Sequence, residues 1–137
     1  MKRKQLTLDE HHWLGGKLNM IHEQACSPKF LKQFKKGSQT ARRIARLDKD
    51  LARLRLSLEN ILYGQYPNEP NCYRDRRFEG VELSMDVLRY SLEYDIGDVI
   101  NRKVLARTLD LYLRCDRSLF ALWFAIAEYP EDRRGQA

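Results

Sequence analysis

Helix breakers are scarce in this chain. Seven glycines and four prolines are spread over 137 residues, which favours long uninterrupted helices. Cysteine is scarce too. Cys26, Cys72 and Cys115 are odd in number and have no paired spacing, so no disulfide framework is expected and the thiols read as reduced. The longest apolar run, Leu119 to Ala127, has nine residues, too few to span a bilayer. Met1-Lys2-Arg3-Lys4 is followed by no apolar stretch of the kind a secretory leader carries. These absences point to a cytoplasmic protein with no membrane partner. Catalytic signatures are missing as well. No serine sits in a Gly-x-Ser-x-Gly elbow, and Gly15-Gly16-Lys17 has neither the spacing nor the preceding strand of a phosphate loop. No enzyme activity, catalytic residue, cofactor or small-molecule substrate is therefore expected.

What the chain has in quantity is charge. Charged residues make up 32% of it against 43% hydrophobic, the balance of amphipathic helices with wide solvated faces. The charge is also unevenly placed. Residues 1–57 carry 14 Lys+Arg and 5 Asp+Glu, a net of +9; residues 58–137 carry 11 and 14, a net of −3. Such a dipole steers a protein toward polyanions and also favours self-association. At this length a single domain is expected over 1–137, with 1–6 and 130–137 as frayed tails.

Periodicity gives the helices. Thr7-Leu8-Asp9-Glu10 is a capping box, so the first helix should begin at Leu8, with Leu14, Leu18, Ile21 and Ala25 as its seam. Gly15 and Gly16 weaken it and read as tight packing against a neighbouring helix. Ser27-Pro28 should open a short helix that Gly37 stops, with Phe30, Leu31 and Phe34 turned inward. Ser38 should cap a long helix reaching about Tyr63, whose seam is Ile44, Leu47, Leu51, Leu54, Leu58 and Ile61. A loop follows from Gly64 to Arg77. Residues 78–97 alternate like a strand, but no second strand is available to pair with them, so a largely buried helix is expected. Asp98 should cap a last helix from about Val99 to Tyr129, with Leu105, Leu109, Tyr112, Leu119, Trp123 and Ile126 on its seam. Asp116 falls near that seam; a small rotation that buries Cys115 instead is the preferred reading. The fold expected is all-α, a helical bundle of four main helices plus one short helix.

Opposite the long helix's seam stand Arg42, Arg46, Lys49 and Arg53, spaced 4, 3 and 4. A row of cations on a face with no apolar duty is the footprint of phosphate-backbone binding. The expected nucleic-acid contacts are Lys32, Lys35, Lys36, Arg42, Arg43, Arg46, Lys49 and Arg53, with Tyr73, Arg74, Arg76 and Arg77 from the loop. A second basic ridge, Lys103, Arg107, Arg114 and Arg117, runs along the last helix. The segment from Leu119 to Ala127 is apolar at every angle. Either other helices wrap it, or Leu122, Trp123 and Phe124 meet another subunit or a second copy. His22 and Cys26, four apart, can share a zinc ion, but two ligands do not make a site and no metal is expected. The function expected is a small non-enzymatic protein that holds RNA or DNA backbone, or a subunit of a nucleoprotein complex. The alternative is an adaptor, inhibitor or regulator that docks an acidic protein surface. The long helix could also pair as a parallel coiled coil through Arg43–Asp48 and Asp50–Arg55, although an intramolecular seam is preferred.

Overall fold

A computed structural model describes residues 6–74 and 102–135, with side chains described from Arg107 onward in the second stretch. The expected helix over 78–97, and the site candidates Arg76 and Arg77, lie outside the described residues. The described part is helical, with no strand. It contains α1 (Leu8–Ile21), a π-helical turn (His22–Cys26), the one-turn α2 (Pro28–Leu31), α3 (Gln39–Gln65), α4 (Arg102–Glu128) and a 3₁₀ turn (Pro130–Asp132).

The helix starts follow local hydrogen bonding. The Thr7 hydroxyl accepts from the Glu10 amide at 3.1 Å, and the Glu10 carboxylate accepts from the Thr7 amide at 3.2 Å. Ser27 Oγ accepts from the Phe30 amide, with Pro28 in the first helical position. Ser38 Oγ accepts from the Ala41 amide and opens α3. Each cap satisfies a backbone donor that the helix itself cannot. Between α2 and α3 the chain reverses at Gly37, whose φ of 76° is a left-handed conformation open to glycine at little cost.

α3 and α4 pack along one another and form the most extensive helix contact described. The expected α3 seam is fully internal: Ile44, Leu47, Leu51, Leu54, Leu58 and Ile61 are all buried. Burying each of these aliphatic side chains contributes roughly 1.5–3 kcal/mol, before the entropy of ordering the chain is subtracted. That seam is covered by the chain's own helices and is not free to form the parallel coiled coil.

On α4 the buried face is Thr108, Leu111, Tyr112, Cys115, Ser118, Leu122 and Ala125. Most of these positions lie one residue before the expected seam, a rotation of roughly 100°. Cys115 is inside and Asp116 is exposed, but Trp123 is turned outward. The rotation buries two hydroxyl residues that periodicity places outside. Ser118 is accommodated because its Oγ donates to Asp50 Oδ2 on α3 at 2.7 Å.

The π-turn after α1 was not anticipated. It puts Ala25 and Cys26 in the core against α3, and leaves His22 Nε2 3.2 Å from Asp48 Oδ1. His22 and Cys26 therefore serve different neighbours.

The segment after α3 returns over α1. Gly15 is needed there, although its neighbour is a loop and not a helix: a Cβ at this position would lie 2.6 Å from the Cys72 carbonyl oxygen. Both ends of the described chain are tied down where loose tails were expected. Leu6 is buried, and its carbonyl accepts from Tyr66 Oη at 3.4 Å. At the other end the Lys35 amide donates to the Asp132 carbonyl at 2.6 Å, and the Arg134 amide to the Gln33 carbonyl at 2.7 Å. Asp132 Oδ2 also accepts from both the amide and the hydroxyl of Thr40, each at 2.9 Å. Asp132 and Arg134 thus bind the segment after α2 and the start of α3, through hydrogen bonds that no hydrophobic pattern records.

Candidate anion-binding groove

Because α3 and α4 pack closely, the surface ridges beside their seam face each other across a groove. Packed helices have axes about 8–10 Å apart, so side chains from both can reach one ligand. This groove has a volume of about 470 Å³. Arg43, Arg46, Lys49 and Arg53 of α3 line one wall; Arg114, Arg117, Ser118 and Ala121 of α4 line the other, and Asp50 is also in the lining. The six cations against one carboxylate give a formal charge of +5.

Asp50 is only 4% exposed and is held by Ser118. Beneath it lies the Cys115 thiol, pushed up to about 12 by burial first and by the negative charge of Asp50 second. On the rim, Arg114 Nη2 reaches Asp110 Oδ2 at 2.9 Å. Among the described residues, none of Arg43, Arg46, Lys49, Arg53 and Arg117 has a carboxylate within ion-pair distance. Like charges three or four apart on a helix repel, at about 0.2–0.5 kcal/mol per pair. The row Arg43, Arg46, Lys49, Arg53 carries three such steps, a cost that an anion in the groove would offset.

The sequence candidates separate into three groups. Arg43, Arg46, Lys49 and Arg53 enter the groove. Arg42 does not: it turns to the other side of α3, donates to Gln39 Oε1 at 3.1 Å, and joins Lys32, Lys36, Phe34 and Arg134 around a separate depression of about 450 Å³. Lys35 is exposed, outside the groove. Of the loop candidates described, Tyr73 is internal and Arg74 is at the surface. Tyr73 is 0% exposed, and its hydroxyl is 2.6 Å from His11 Nδ1. Arg74 is exposed but lies 2.9 Å from Glu59 Oε1, a buried carboxylate. The N–H is not aligned on that oxygen, so the pair is held by charge more than by a hydrogen bond. Tyr73 thus ties this segment to His11 of α1. Two groove residues were not chosen from the sequence, Arg114 and Arg117. Their signal was present as the basic ridge of the last helix, but which ridge faces which depends on how the helices pack.

Of the apolar candidates on α4, Leu122 is completely buried and belongs to the core. Trp123 and Phe124 are outward, 48% and 55% exposed, together with Phe120 at 71%. Phe120 and Phe124 lie side by side, with ring centroids 6.1 Å apart and planes tilted by 30°.

The thiols are far from reactive. Burial raises Cys26 and Cys115 to about 12 and Cys72 to about 11, so little thiolate forms at neutral pH. No helix among the described residues is long and apolar enough to cross a membrane. Comparison with protein families, with curated proteins and with solved structures finds no match to this chain.

Proposed function

We propose that this protein is a non-enzymatic binder of nucleic-acid backbone, and that the groove between α3 and α4 is where the phosphates lie. The observation that carries the reading is the convergence of cations from two helices. Arg43, Arg46, Lys49 and Arg53 face Arg114 and Arg117 across one channel. From Arg43 to Arg53 the helix rises about 15 Å, which suits three or four consecutive phosphates. Guanidinium groups dominate the walls, and their forked donors match phosphate oxygens two at a time. No element described is shaped to read base edges, so contact is to the backbone and affinity comes largely from counterion release.

Fluorescence anisotropy of labelled oligonucleotides over a salt series tests this. Log affinity should fall with log salt at a slope of roughly −2 to −4, the value for three or four neutralised phosphates. Arg46→Glu/Lys49→Glu/Arg117→Glu should abolish binding while the helical circular dichroism is kept. Undiminished binding by that folded variant refutes the reading. So does failure of the parent protein to bind single- or double-stranded DNA or RNA; retention of the parent on polyglutamate would then assign the groove to an acidic protein surface.

A further inference from the structure

The aromatic residues on α4 stand next to the groove, and their position bears on which form of nucleic acid it takes. Arg117, Phe120, Ala121 and Phe124 are spaced 3, 1 and 3 along one helix, so they share a face. Arg117 and Ala121 line the groove, and Phe120 and Phe124 continue that face away from the core. The two rings are the most and second most exposed phenyl groups described, and they lie side by side with planes tilted by 30°.

From this geometry we infer that the ligand is single-stranded, with its phosphates in the groove and one or two unpaired bases stacked on Phe120 and Phe124. The inference rests on the groove binding nucleic acid at all. Two physical arguments carry it. A duplex keeps its bases stacked inside, so exposed phenyl faces offer it nothing, whereas a single strand can turn its bases onto them. A groove between two packed helices, whose axes are about 8–10 Å apart, is also narrower than a double helix, which could rest only on the rims. A strand lying along the walls brings its bases toward the lip where the rings are. Such stacking is tolerant of sequence, since every base has a π face, and this agrees with walls that contact only phosphate.

The test compares a labelled oligo(dT) and a matched RNA strand with duplexes of the same length, at several salt concentrations. The parent should bind the single strands at least about tenfold more tightly, and Trp123 fluorescence should change on binding. Alanine substitution of a stacking residue typically weakens binding about 5- to 150-fold per base. Phe120→Ala/Phe124→Ala should therefore lower single-strand affinity by at least about tenfold, with duplex affinity and the salt slope unchanged. Phe120→Leu/Phe124→Leu keeps apolar bulk and helix propensity but removes the ring face, and should show the same loss. Both sites are exposed, and circular dichroism checks that the variants fold.

Equal affinity of the parent for strand and duplex overturns the inference. Equal loss for both in the alanine variant also overturns it. Light scattering on the same samples provides the remaining outcome. A dimer that Phe120→Ala/Phe124→Ala converts to a monomer of unchanged single-strand affinity assigns the rings to a second copy of the chain. Because the groove reading alone predicts salt-dependent binding lost in Arg46→Glu/Lys49→Glu/Arg117→Glu, failure of strand preference with that behaviour intact refutes only the stacking.

Discussion

Replacing Tyr73 by phenylalanine removes a single hydroxyl, yet it should be among the more costly conservative changes in this protein. The Tyr73 hydroxyl is 2.6 Å from His11 Nδ1, and His11 Nε2 is 2.7 Å from Gln65 Oε1. An amide oxygen can only accept, so Nε2 carries the proton and Nδ1 accepts from Tyr73. Both rings are buried, and no solvent is at hand to replace the lost donor. Leaving a buried Nδ1 unpaired costs about 1–3 kcal/mol, which at this chain length lowers Tm by roughly 3–10 °C. Thermal and urea unfolding followed by circular dichroism measure it. The arrangement also sets a pH dependence. Burial holds the His11 imidazole below its ordinary 6.5, a pull only partly opposed by the bond to Gln65. The unfolded chain thus takes up a proton at His11 before the folded one does. Its stabilising contribution is full above about pH 6.5 and is lost as pH falls from there toward the lower folded value. The stability difference between the parent and His11→Gln should accordingly shrink between about pH 7.5 and 5. A loss below about 0.5 kcal/mol in Tyr73→Phe would refute the tie to His11. So would weaker oligonucleotide binding by that variant with stability unchanged, since it would place Tyr73 at a contact surface.

Ser118→Ala removes the donor to the nearly buried Asp50 carboxylate and should cost about 1.5–3 kcal/mol in urea unfolding. A neutral result would mean that Asp50 is satisfied by solvent. Gly15→Ala gains about 1 kcal/mol of helix propensity, but its methyl group would stand 2.6 Å from a backbone oxygen that cannot swing aside. Net destabilisation of about 1–3 kcal/mol is expected, and a stabilised variant would show that the Cys72 loop does not rest on α1.

Local chemistry accounts for what was legible before the tertiary structure. A cap is a contact between residues three apart, so Thr7-x-x-Glu10, Ser27-Pro28 and Ser38 set helix starts that need no partner. The α3 seam was legible for a similar reason: six aliphatic side chains at alternating spacings of three and four define one face, and only one face can be buried. The cations opposite were therefore known to be outside.

Tertiary structure alone decided three things. It chose the buried face of α4, because residues 119–127 are apolar at every angle and give no phase; the face chosen brings Ser118 to Asp50, a pair 68 positions apart. It turned Tyr73 inward, because a partner for its hydroxyl existed only once His11 had been brought to it. And it made a groove out of two surface ridges. Each basic ridge is written in its own helix, but that Arg43, Arg46, Lys49 and Arg53 face Arg114 and Arg117 follows from how α3 packs on α4. Periodicity fixes a side chain's direction relative to its own helix axis, and only the contact between helices fixes those axes relative to each other.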